Sequence, residues 1–146
     1  MQPDWSGLAE DVSRLPGFAA GNDIVFLPDF RAMFNDLFRE KAFSENEVAY
    51  CEQFDDPILR YASTWAAKEA VYKAVKQLDS TAMGFRGIEI LREKPAGMPL
   101  VKLHKHGNKF GTSLSLTHDG DYVWAVCLVT AQETGPVPDP RNDQHL

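Results

Sequence analysis

An α+β fold, with helices in the first half packed on an antiparallel sheet from the second half, is what this sequence predicts. Three observations lead there. Phe30, Met33, Phe34, Leu37 and Phe38 recur at i, i+3, i+4, i+7 and i+8, the spacing of one helix face. From Pro57 to about Gln77 no glycine or further proline interrupts a long helical pattern. After that the pattern changes period: Leu114 and Leu116 alternate with Ser115 and Thr117, ahead of an apolar run from Tyr122 to Thr130.

The chain of 146 residues suits one domain with a core of its own. With 44% apolar and 25% charged residues it has the balance of an ordinary soluble globular protein. A net charge of −6 argues against a general nucleic-acid binder, which needs a basic footprint. Cys51 and Cys127 lie far apart without metal-ligand spacing; buried thiols are expected, and a disulfide stays open. The N-terminus carries Asp4, Glu10 and Asp11 and lacks the basic and apolar regions of a signal peptide. No apolar run approaches the roughly 20 residues that span a membrane, so a cytoplasmic protein is expected.

The elements follow in order. Residues 1–20 read as an N-terminal extension with a short helix that Ser6 caps and Pro16-Gly17 ends. Gly21 to Leu27 reads as a short buried strand stopped by Pro28, with Asp23 at its polar start. The helix of phenylalanines then starts at Asp29 as N-cap, its stripe turned to the core. Ser44 followed by Glu47 is a capping box for a helix to about Gln53. Asp56 and Pro57 are N-cap and first residue of the main helix. Strands follow at Gly87–Glu93, Leu100–His104, Thr112–Thr117 and Tyr122–Thr130, the last two joined by a tight Asp-Gly turn at Asp119-Gly120. Residues 132–146, with three prolines and many polar groups, read as a disordered tail. The domain proper is therefore expected at 21–131.

Chemistry gathers in the main helix. Ala67, Val71, Ala74, Val75 and Leu78 make its apolar stripe, while Trp65, Glu69, Tyr72, Lys73 and Lys76 fall elsewhere. Glu69 and Lys73 are four apart and can meet. The small alanines allow another surface to approach closely. One carboxylate between two ammonium groups can hold a metal while the lysines meet phosphate.

The stretch Trp65-Ala66-Ala67-Lys68-Glu69-Ala70-Val71-Tyr72-Lys73 resembles the signature helix of the 4′-phosphopantetheinyl transferases, in particular the small holo-acyl-carrier-protein synthase type. Gly21-Asn22-Asp23 is similar to that family's first motif and Ser115-Leu116-Thr117-His118 to its third. Gly97-Met98-Pro99 resembles a further Gly-x-Pro turn.

The resemblance implies an enzyme that moves the 4′-phosphopantetheine arm of coenzyme A onto a serine of an acyl, peptidyl or polyketide carrier protein. Asp23 and Glu69 would be magnesium ligands, and Lys73 would meet phosphate. His118 would either donate to phosphate or serve as a turn histidine. Lys68 would position phosphate or pair structurally, while Gly97, Pro99, Ser115 and Thr117 would line the nucleotide pocket. Such an all-oxygen site with few carboxylates suits magnesium. The base that takes the serine proton is open between a metal-bound water and a nearby carboxylate.

The resemblance further implies a homotrimer with sites between subunits, without nucleic acid or membrane partners. The competing reading is a diverged, non-catalytic protein that holds coenzyme A or a carrier. The sequence departs from the family pattern at Asn22, where an apolar residue is usual, and at Thr64, where an arginine is usual. It departs again at Asp29, where relatives carry an arginine that meets an acidic carrier, and in a short link from Leu103 to Thr112.

Overall fold

A computed structural model of the chain describes residues 15–93 and 97–132, together with Gln2 and Asp4. The short helix expected from Ser6 and the expected tail lie outside the described residues. Strand β1 (Phe18–Phe26) leads into three short helices, α1 (Leu27–Met33), α2 (Asp36–Ala42) and α3 (Glu45–Cys51), and then the long α4 (Pro57–Leu78). A 3-10 turn at Phe85–Gly87 opens β2 (Ile88–Leu91), followed by β3 (Leu100–Leu103), β4 (Phe110–Asp119) and β5 (Tyr122–Ala131). The fold is α+β, as expected. The strands form two antiparallel sheets, one of order β1-β5-β4 and a small one of β2 and β3.

Two expectations about the first half are corrected. β1 starts at Phe18, three residues before the expected domain boundary, because Phe18 to Ala20 continue the ladder opposite Leu128 to Thr130. The single phenylalanine helix is two helices. Phe34 is extended, and the Asn35 side chain accepts from the Phe38 amide at 2.8 Å, which caps α2. Asp29 is therefore no N-cap: α1 begins at Leu27 after Phe26, with Pro28 in its first turn, and Asp29 merely adds a carboxylate there. The break turns Met33 and Leu37 outward, 47% and 58% exposed, although they belong to the periodic stripe. Phe30, Phe34 and Phe38 stay together, and Phe34 packs on Tyr61 and Phe38 on Trp65 of α4.

The capping box of α3 and the cap of α4 by Asp56 form as expected. Gly120 at φ +56° makes the first corner of the β4–β5 turn. Cys51 and Cys127 are both buried and unpaired, and burial pushes each thiol up to about 12.

The three-stranded sheet has two unlike faces. Its inner face carries Val25, Val123, Ala125, Cys127, Val129 and Leu114, all buried beneath α4. Opposite them on α4, Ala66, Ala67, Ala70 and Ala74 have no exposed surface. The outer face presents Phe18, Ile24, Phe26, Tyr122, Trp124 and Leu128, each more than a third exposed. Ser113, Ser115 and Thr117 lie on that same outer face.

Candidate active site

The site begins with a missing side chain. A Cβ on Gly21 would stand 2.0 Å from the Ala70 carbonyl oxygen and 2.7 Å from the Ala74 nitrogen. Only glycine lets α4 lie this close on β1. The two alanines, one turn apart, complete the close crossing. Two residues along β1, on the same inner face, Asp23 arrives beside the next exposed turn of α4.

There Lys73 Nζ contacts Asp23 Oδ1 at 2.9 Å and donates to the Asn22 carbonyl at 3.1 Å. Gln77 Nε2 donates to the Ala20 carbonyl at 2.7 Å, so the helix is stitched to the strand over two turns. Asn22 serves through its backbone while its side chain sits on the outer face, so an apolar residue there would leave the same carbonyl in place.

Glu69 is the second carboxylate. Burial raises its proton affinity most, and the hydrogen bond and charge of Asp23 raise it further, to about 7, against a smaller lowering by Lys73. Two carboxylates that crowd one another and share one lysine lack positive charge. All-oxygen donors with charge to spare fit a hard divalent cation such as magnesium, which would take the place of the shared proton. No cluster of three or more histidine, cysteine or acidic side chains that could hold a metal occurs among the described residues, so a cation here would draw on water or substrate for its other ligands.

Lys68 requires a correction. Its ammonium is wholly buried and bonds the Glu47 carboxylate. It is out of reach of a phosphate in this arrangement; of the two roles the sequence left it, the structural pairing is the one observed. Thr64 is equally inward, its Oγ1 donating to the Arg60 carbonyl at 2.9 Å. Its hydroxyl also lies 3.8 Å from Cys51 Sγ of α3, so it belongs to the packing between α3 and α4 and not to the Asp23 cluster.

The other expected residues form a second group. His118 shares the inner face with Asp23 but lies on β4, beyond β5 and two register positions further along. Two strand spacings of about 4.8 Å, with two residues of about 3.4 Å along the strand, keep it roughly 12 Å off. Ser115 and Thr117 are exposed on the outer face. Pro99 joins Met98, Leu100 and Val101 and β4 residues Thr112 to Leu114 around a cavity of about 340 Å³. Gly97 lines a smaller one of about 260 Å³ with Glu93, Met98 and Leu100. A roomier groove of about 570 Å³ runs between α2, α3 and the 3-10 turn, where Asp36, Glu40 and Glu45 face Arg39 and Arg86. It contains none of the expected residues.

Sequence reading missed Glu47 beyond its capping role. It also missed the partner of the close-packing alanines, although their spacing opposite a strand glycine is a readable signal.

A strand glycine under a long helix, with two carboxylates and a lysine at their crossing, defines a class. The 4′-phosphopantetheinyl transferase superfamily model matches residues 19–127, and the chain belongs to this family. It is 33% identical over 112 residues to holo-[acyl-carrier-protein] synthase of Chlorobaculum parvum, covering 75% of this chain and 95% of that protein. It is 39% identical over 116 residues to a fatty acid synthase alpha subunit of Dothistroma septosporum, covering 74% of this chain but only 7% of that much longer protein. Among solved structures, the synthase–coenzyme A complex described as from Chronobacterium ammoniagenes superposes with a TM-score of 0.66 at 27% identity, over 80% of this chain and 98% of the other. The Bacillus anthracis holo-(acyl-carrier-protein) synthase, also with coenzyme A, gives 0.66 at 25% identity, over 78% and 96%.

Proposed function

We propose that the protein transfers the 4′-phosphopantetheine arm of coenzyme A to a serine of a carrier protein, with magnesium bound by Asp23 and Glu69. The observation that supports this best is the Asp23–Glu69 carboxylate pair held against Lys73 at the Gly21 crossing. In the reaction the serine oxygen bonds to the phosphorus that carries the pantetheine. The pyrophosphate P–O bond breaks, and 3′,5′-ADP leaves. Magnesium, when bound, supplies Lewis-acid stabilisation of the charge that gathers on the phosphate oxygens. Lys73, half exposed at the edge of the cluster, supplies a mobile point charge to the same oxygens. The serine proton passes to a bound water or a nearby carboxylate.

The separation of Pro99, Ser115, Thr117 and His118 from Asp23 supports a site completed by a second copy. The apolar outer face of the sheet supports contact between copies, and the reading is a homotrimer with three shared sites. A cytoplasmic location belongs to the same reading; no described helix is long and apolar enough to cross a membrane.

The test is to incubate the protein with coenzyme A, magnesium and a panel of apo carriers, then weigh the carriers intact. A gain of one phosphopantetheine, lost when magnesium is chelated, is expected. Binding of coenzyme A with no carrier ever modified would favour the non-catalytic relative.

A further inference from the structure

Glu47 does more than a capping-box glutamate needs to do. Its Oε1 accepts from the Ser44 amide at 2.8 Å, closing the box, and also from Lys68 Nζ. Its Oε2 accepts from the Ile90 amide of β2 at 3.0 Å. The carboxylate is 1% exposed and Lys68 is fully buried, so α3, α4 and β2 meet on one ion. Burial lowers the proton affinity of Lys68, and the Glu47 charge opposes that.

Such a pair is a weak source of net stability, because desolvation consumes most of the attraction. Its direction is another matter. The contact of α4 with β1 rests on alanines and a glycine, which set a close distance, and Lys73 and Gln77 tie one side of the helix to β1. Lys68, about 140° round from Lys73, ties the other side to α3 and β2 through Glu47. Lys68 is the residue before Glu69, so its direction sets that of Glu69, 100° further round. A rotation of about 30° at a radius of roughly 5–6 Å would move the site groups by about 3 Å.

We propose that Glu47 is a positioning residue: through Lys68 and Ile90 it locks the rotation of α4 and so aims Glu69 and Lys73 at Asp23. The inference rests on the reading of that cluster as the magnesium site.

The experiment replaces the pair by apolar residues of similar volume, Glu47→Leu with Lys68→Met, which keeps the core filled. Its crystal structure needs neither metal nor coenzyme A. The expected result is a folded protein with α4 turned and Lys73 Nζ no longer on Asp23. The magnesium needed for half-maximal transfer should rise about tenfold or more, as for other groups that orient metal ligands, with kcat at saturating magnesium largely kept. A folded variant that retains the Lys73–Asp23 contact and the wild-type magnesium requirement overturns the proposal. Should the apolar pair not fold, Glu47→Gln, which keeps the volume, is read by the same two measurements. A turned helix in the variant, with a wild type that modifies no carrier, would refute the functional reading and leave the positioning role standing.

Discussion

Burial first, and then the Asp23 carboxylate beside it, push the Glu69 carboxyl up to about 7. That has a consequence for stability. A carboxyl raised on folding binds more protons in the folded than in the unfolded chain between its two pKa values. Its stabilising contribution is complete below about pH 4.5 and is lost as the pH rises through about 7. In metal-free buffer the wild-type Tm, relative to that of Glu69→Gln, should fall across this window; parallel Tm profiles would separate Glu69 from Asp23. If the proposed function holds, Asp23→Ala or Glu69→Ala should lower transfer by about 100-fold or more, with the circular dichroism spectrum unchanged, because each would remove a magnesium ligand and little core volume. Near-normal magnesium-dependent turnover in either folded variant would reject the assignment. Both residues were singled out in the sequence by the resemblance of their motifs to those of the transferase family; Gly21-Asn22-Asp23 is a weak signal alone and gains its weight from the helix motif around Glu69. The buried state of Lys68 was not legible, since nothing local tells an inward ammonium from an outward one.

At the scale of elements, the α4–β1 crossing is the decisive contact. Gly21→Ala drives a methyl into the Ala70 carbonyl, and the helix must lift. A loss of about 1–3 kcal/mol is expected, the usual range for overpacking. Denaturant unfolding measures it, and magnesium-dependent transfer should fall with it as Asp23 separates from α4. Unchanged stability would show that the helix already rides higher. The α3 and α4 caps were readable from Ser44, Glu47, Asp56 and Pro57 because caps are local chemistry. The division of the phenylalanine helix was not, because periodicity runs through Phe34 and Asn35 without a glycine or proline. The break places Phe34 against Tyr61 and Phe38 against Phe43 and Trp65, with Phe30 packed on both Phe34 and Phe38.

For the whole molecule, the predictions concern partners. Light scattering should find three copies, and Ile24→Lys, at the centre of the outer face opposite Trp124, should give monomers with little transfer. A fully active monomer at assay concentration would reject shared sites. The carrier is the other partner. Asp29 is exposed on α1, and the nearby Arg31 is engaged in an ion pair with Asp56, so neither offers a free cation. Like charges disfavour an acidic docking partner. Transfer should be weak to a strongly acidic fatty-acid carrier and better to one with a neutral or basic contact. Asp29→Asn should improve the acidic carrier, mainly through the on-rate at low salt. An unchanged rate and salt dependence, with the acidic carrier already best, would defeat this reading.

By itself the sequence determined what depends on neighbours along the chain: the fold class, every strand in the second half and the two strong caps, while the resemblance of its motifs singled out Asp23, Glu69 and Lys73 as candidates. Period, caps and motif spacing are local physics, and they act before the chain is packed. Tertiary structure alone decided which partner each charge takes: Lys73 on Asp23, Lys68 on Glu47, Arg31 on Asp56. Those choices follow from the distance between elements far apart in sequence and, for Lys68, from complete burial. Where α4 comes close enough to strip water from an ion, the nearest opposite charge becomes its partner, and no pattern along the chain encodes that distance.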